Sequence, residues 1–101
     1  MLRQSWQNIR NYTEKKSWED PKTGIRTIGF NPPSNARNIQ RVPFFIRYVT
    51  LKGKYEEGMC VCLSVNLARH QRRIQFVESQ QIRWVNDFLV TEVDGVRFVV
   101  T

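Results

Sequence analysis

The sequence predicts a mainly β protein, either a small curled antiparallel sheet or a partly open barrel of the OB-fold-like or Src-homology-like kind, with one short N-terminal helix as an optional addition. From Ile25 onward, runs of four to nine residues rich in Val, Ile, Phe and Thr are separated by turn-forming residues. Six or seven such runs recur at roughly ten-residue spacing, as in small sandwiches and barrels. Helical spacing of apolar residues is confined to the start of the chain.

Residues 1 to 22 allow two interpretations. Apolar residues at helical spacing, with a serine placed to cap them, indicate a short helix; these residues are Leu2, Ser5, Trp6, Ile9 and Thr13. The alternative is a hairpin around Pro21, because Asp20, Pro21 and Gly24 are turn formers. In both cases we expect residues 25 to 101 to form the β body, with residues 1 to 22 as an extra hairpin or a basic arm.

Turn-forming residues divide the β body into strands. Two prolines after Phe30 remove two ladder donors and end the first strand. Near the C-terminus, Asp94-Gly95 is a pair that two-residue type I′ hairpins favour. The predicted strands are Ile25 to Phe30, Pro43 to Leu51, Met59 to Val65, Arg73 to Glu78, Gln81 to Val85, Phe88 to Val93 and Val96 to Val100. The third of these is apolar on both faces, which predicts a central strand.

The length and the apolar content predict one domain without a membrane segment. A chain of 101 residues has the length of a single domain, which we assign to residues 1 to 101. Its apolar runs are far shorter than the about 20 residues of a membrane span, and its start lacks the apolar stretch of a secretory signal. We therefore expect a cytoplasmic location. Cys60 and Cys62 lie two apart on a predicted strand, a geometry that does not close a disulfide, so we expect free thiols.

The positive charge is concentrated in the first half of the chain. The whole chain carries a net charge of +7. Residues 1 to 50 hold nine Lys and Arg against three Asp and Glu, a net charge of +6, whereas residues 51 to 101 hold seven against six. This skew predicts an anionic partner, meaning nucleic acid, an acidic protein surface or a membrane surface. Of these we expect one of the first two and no membrane. The alternative is that the charge serves solubility alone.

The residues do not assemble a catalytic or metal site. His70 is the only histidine, and its arginine and glutamine neighbours indicate an exposed basic turn rather than a dry cleft. Cys60, Cys62 and His70 are three candidate zinc ligands, but a closed structural site needs four. We therefore predict that the protein is not an enzyme and that it binds no cofactor and no metal.

Arginines within the predicted strands form the candidate binding site. Arg26, Arg47, Arg83 and Arg97 each alternate with large apolar side chains, so they are expected on the outer face of the sheet, where they would form a basic stripe if their strands are neighbours. Phe45 shares its face with Arg47 and is the candidate platform for stacking a base. The loop arginines Arg69, Arg72 and Arg73 are expected to extend the stripe.

These observations predict a binding protein. The first hypothesis is nucleic-acid binding without sequence specificity through the arginine-rich face, because basic side chains along a groove neutralise phosphates. The alternative is a protein-interaction or assembly module that pairs through an edge strand and is homo-oligomeric. The strand order, the oligomeric state and the choice between DNA and RNA are left open by the sequence.

Overall fold

The computed structural model describes residues 3 to 5 and 8 to 99. Strands dominate it, joined by one short helix and two single 3-10 turns at Leu67–Arg69 and Asp87–Leu89. The elements are, in chain order, β1 (Arg3–Ser5), α1 (Arg10–Thr13), β2 (Lys16–Glu19), β3 (Arg26–Gly29), β4 (Arg37–Arg41), β5 (Phe44–Val49), β6 (Tyr55–Asn66), β7 (Gln71–Phe76), β8 (Ile82–Asn86), β9 (Val90–Val93) and β10 (Val96–Val99).

Two sheets share these strands. The larger sheet has seven strands in the order β1-β10-β9-β5-β6-β7-β8, and the smaller has three in the order β3-β2-β4. Every pairing is antiparallel except that of β1 with β10. The mainly β prediction is confirmed in its curled-sheet form, because the described strands leave β1 and β8 as the two edges of the larger sheet and close no barrel.

The larger sheet has a core face and an outer face, and the side chains of β5 alternate between them. Phe44, Ile46 and Tyr48 are buried, and Phe45 and Arg47 between them are half-buried on the opposite side. Strand geometry causes this, because successive side chains point to opposite faces. The core combines residues of six strands with Ile9 beside α1; its members are Ile9, Phe44, Ile46, Tyr48, Cys60, Ile74, Val85, Val90, Val93 and Phe98.

The N-terminal region contains both of the structures that its sequence suggested. A one-turn helix, α1, covers the core, and the Tyr12 ring meets the edge of the Phe98 ring at 5.3 Å. A β2–β3 hairpin then turns through 20 to 24, where the Asp20 carboxylate accepts the backbone N–H of Lys22 at 2.8 Å. The proposed capping role of Ser5 is wrong, since Ser5 lies in β1 and α1 begins after Ile9 without a side-chain cap.

Some strand limits differ from the prediction. The Asp94-Gly95 hairpin is confirmed, with φ of 49° and 80° at the two residues. No strand was predicted over Arg37–Arg41, but this segment is β4, because it pairs with β2 although all five residues are exposed. The connection predicted over 66 to 72 is shorter than expected, since β7 begins at Gln71.

The smaller sheet is joined to the larger one by two residues, 42 and 43, between β4 and β5. Its one buried side chain is Trp18, whose ring carbon Cζ3 lies 3.5 Å from the place where a Cβ on Gly29 would stand. The backbone N–H of Val42 donates to the Lys15 carbonyl at 3.1 Å. This hydrogen bond extends the pairing of β2 with β4, and the short link places that pair next to the start of β5.

Because the Cys60 thiol is buried, we expect the folded protein to lose stability at alkaline pH. Burial raises its pKa from 9.0 to about 12, so the folded state retains a proton that the unfolded state releases first, and stability falls as pH rises from about 9 toward 12. We expect Cys60→Ala to lose less stability over this range than the wild type. Urea unfolding at a series of pH values measures the two slopes, and equal slopes would contradict the assignment.

Candidate nucleic-acid interface

Arg47 and Arg97 lie on the outer face as predicted, but carboxylates lie between them. Across neighbouring strands the register places Arg97 opposite Glu92, Glu92 opposite Arg47, and Arg47 opposite Glu57. The Arg47 guanidinium lies 3.1 Å from the Glu57 carboxylate and 3.8 Å from that of Glu92. Its hydrogen bond to Glu57 and the charges of both carboxylates raise the pKa of Arg47. The row is a ladder of alternating charges and not a basic stripe.

Phe45 shares the outer face with Arg47, as predicted. The Arg47 guanidinium lies over its ring, 5.9 Å from the ring centroid. The Phe45 ring therefore has a cation against it already, and it is only partly accessible. The backbone N–H of Phe45 donates to the Asp94 carboxylate at 2.8 Å. These contacts fit a residue that supports the hairpin and the charge ladder.

Arg72 was predicted to lie in an exposed basic cluster, and this placement is wrong. Its side chain is 4% exposed, with its Nε 3.0 Å from the Asp87 carboxylate and its Nη1 bonded to Glu14. Arg72 and Ile74 both lie on the core face of β7, and Arg72 is opposite the buried Val85 of β8. Burial raises the pKa of the Asp87 carboxyl, and the Arg72 guanidinium opposes that shift. A cation held in this way is not available to a phosphate.

Arg83 is also placed differently from the prediction. In the sheet it is opposite Ile74, a core residue, so it belongs to the core face, and Ile82 and Trp84 face outward. The alternation along β8 was predicted correctly, but its direction was inverted. The guanidinium folds back along the strand, donating to the Ile82 carbonyl at 3.0 Å and to the Gln81 side chain at 2.8 Å.

The remaining predicted arginines do not converge. Arg26 lies in the smaller sheet, where its Nε donates to the Ser17 hydroxyl at 2.6 Å and its guanidinium lies 3.9 Å from Glu19. Arg69 is exposed on a 3-10 turn, whereas Arg73 is exposed on the outer face of β7. Because Arg72 between them is buried, the expected cluster of three loop arginines does not form.

The structure gathers cations elsewhere, in a groove between α1, the smaller sheet and β6. We call it the basic groove. It has a volume of about 320 Å³. Its cations come from α1, the linker after it, β2 and β4, and one aromatic ring follows β3. Its lining includes Arg10, Glu14, Lys15, Lys16, Phe30, Arg41 and Ser64.

Lys16 and Arg41 are two uncompensated charges of the basic groove. They are directly opposite each other across β2 and β4, an arrangement in which like charges repel and destabilise a sheet. Within the part of the chain that the structure describes, neither residue forms an ion pair. A bound anion between them would relieve the repulsion.

Glu14 is the single carboxylate among the described residues that line the basic groove. It is already engaged, because it binds the buried Arg72 and lies 3.8 Å from Arg10. The four cations Arg10, Lys15, Lys16 and Arg41 therefore leave the lining with a net charge of +3. The Arg10 guanidinium also lies over the Phe30 ring, 5.6 Å from its centroid, so cationic and aromatic groups lie side by side.

Sequence reasoning missed this groove although one signal for it was present. Residues 1 to 50 carry the charge excess, and four of their nine Lys and Arg side chains line the groove. No strand was predicted over Arg37–Arg41, so the pairing of β4 with β2 that brings Arg41 to Lys16 was missed. That pairing spans 25 residues and depends on tertiary structure.

The chain shows no match to protein-family models, to curated proteins or to solved structures.

No group of three metal-ligating side chains occurs among residues 3 to 5 and 8 to 99. His70 is half-buried, with its ring 5.0 Å from that of Phe88. No helix in the described ranges is both long and apolar enough to cross a membrane.

The buried position of Arg72 predicts a stability effect that its neighbour does not share. We expect Arg72→Met to lower the free energy of unfolding by about 3–5 kcal/mol, because it leaves the Asp87 carboxylate buried without its partner. Arg73→Met removes the same charge from an exposed position, and it should change stability by about 0.5 kcal/mol or less. Urea unfolding followed by circular dichroism compares the two variants. Equal effects would show that the ion pairs of Arg72 do not stabilise the fold.

Proposed function

We propose that this protein binds nucleic acid without sequence specificity, and that the basic groove is the site of phosphate contact. The observation that carries the proposal is the cross-strand pair of Lys16 and Arg41, two cations held opposite each other in the groove with no acidic partner in the described chain. Such a pair is unfavourable on its own and favourable around a phosphate. Arg10 and Lys15 extend the positive lining on both sides.

The form of the groove supports a polyanion over a small anion. Its cations come from α1, the linker after it, β2 and β4, so they belong to several elements of the lining. Contacts of this kind follow a phosphate backbone and carry no sequence information. The Phe30 ring beside Arg10 adds an aromatic face, which can stack on a base of any type.

This proposal retains the predicted ligand class and moves its site. The outer face around Arg47 is poorly suited to phosphates, because Glu57 and Glu92 flank this arginine. Arg69, Arg73 and Arg97 stay exposed, so they can add long-range attraction. The groove supplies the local contacts.

Removing two groove cations tests the site. We expect the double variant Lys16→Gln with Arg41→Gln to bind a labelled oligonucleotide of about 16 nucleotides at least about tenfold more weakly. Two lost phosphate contacts should also reduce the slope of log K against log salt by about 1.4 for a single strand. Fluorescence anisotropy at salt concentrations from about 50 to 200 mM measures both quantities.

The matched control is Lys22→Gln with Lys52→Gln. It removes the same net charge from two exposed turn positions outside the groove, so it should lower affinity much less than the groove variant. Equal losses in the two double variants would mean that only net charge matters and that the groove is not the site. Absence of binding by the wild type at low salt would remove the function altogether.

A further inference from the structure

Trp84 is an exposed aromatic side chain on the outer face of the larger sheet. It is 53% exposed, which is unusual because tryptophan contributes more apolar area to a core than any other residue. Its position on β8, an edge strand, accounts for part of this exposure. The neighbouring Val85 takes the core face and is buried. Trp84 is therefore not needed to fill the core.

A row of side chains connects Trp84 to the basic groove. Ser64 of β6, which lines the groove, is opposite Arg73 of β7, and Arg73 is opposite Trp84 of β8. Neighbouring strands are about 4.8 Å apart, so Trp84 lies about 10 Å beyond Ser64 along the outer face. A strand of nucleic acid that leaves the groove over Ser64 would meet first Arg73 and then Trp84.

The chemistry of the row matches one phosphate and one base. Arg73 is exposed and forms no ion pair within the described ranges, so its guanidinium can contact a phosphate. Trp84 presents an indole beside it, and base stacking on an aromatic side chain needs no particular base. It does need a base whose face is free, and bases inside a duplex are already stacked on each other.

We propose that the ligand of this protein is single-stranded nucleic acid, and that Trp84 stacks on one of its bases while Arg73 holds the adjoining phosphate. This inference rests on the proposed function, because it takes the basic groove as the point where the strand enters. It specifies a single strand as the ligand and adds a second contact region. Phe45, the platform expected from the sequence, is not on this row.

An exposed tryptophan beside Ile82, which is 47% exposed, is also found at protein-docking surfaces. Three observations favour nucleic acid over a second copy of the chain. The row begins at a groove with a net positive lining, and the cation Arg73 faces Trp84 directly. The net charge of +7 also opposes self-association. Self-association is therefore treated as an outcome of the test.

The experiment compares Trp84→Ala and Trp84→Phe with Leu67→Ala, a control at an apolar residue that is 76% exposed on a 3-10 turn off the row. We expect Trp84→Ala to weaken single-strand binding about 5- to 150-fold and to leave duplex binding unchanged. Trp84→Phe should lose less affinity, because a ring is retained, and Leu67→Ala should lose none. Unlabelled oligothymidine should quench tryptophan fluorescence in the wild type and less in Trp84→Phe. Circular dichroism establishes that each variant is folded.

The outcomes separate this inference from the proposed function. Single-strand binding that is unchanged by Trp84→Ala, or equal losses for single strands and duplexes, would overturn the role of Trp84 and leave groove binding in place. A wild-type mass by light scattering of twice 12.0 kDa that falls to the monomer value in Trp84→Ala would assign the surface to a second copy. Failure of the wild type to bind either strand form would overturn both proposals.

Discussion

A buried guanidinium joins three parts of the chain and decides where the positive charge is exposed. Arg72 of β7 contacts Glu14 at the end of α1 and Asp87 in the 3-10 turn after β8. Because an unpaired ion is so costly in a low-dielectric interior, these three segments must stay together. The same contact neutralises Glu14, the one carboxylate in the described lining of the basic groove. The interaction that fastens the helix to the sheet therefore also leaves Lys16 and Arg41 uncompensated.

The two sheets use their charges in different ways. In the larger sheet, Glu57 and Glu92 alternate with Arg47 and Arg97 across neighbouring strands, which turns a row of arginines into a balanced surface. In the smaller sheet, Glu19 lies near Arg26 and accepts a hydrogen bond from Asn38, but Lys16 and Arg41 have no such neighbour. Four cations of the first half of the chain thus line the groove where the smaller sheet meets α1 and β6. The fold separates a balanced face from a cationic groove.

Local patterns accounted for much of the architecture. The Asp94-Gly95 turn and the shared outer face of Phe45 and Arg47 followed from turn chemistry and period-two spacing. The same logic was insufficient for the arginines. Alternation along β8 shows that Arg83 and Trp84 face opposite ways, but it does not show which of them faces the core, and Trp84 is the exposed one. An edge strand buries only part of its surface, so the larger apolar side chain need not point inward.

The sequence by itself determined a mainly β chain, its turns, and a concentration of positive charge in residues 1 to 50, because these depend on residues close together in the chain. Only the tertiary structure decided which cations are free. Arg72 lies 15 residues from Asp87 and 58 from Glu14, and Arg41 meets Lys16 through a strand that carries no apolar alternation. Whether a charge is paired depends on neighbours brought together by strand pairing, and a charge pattern along the chain does not contain that pairing.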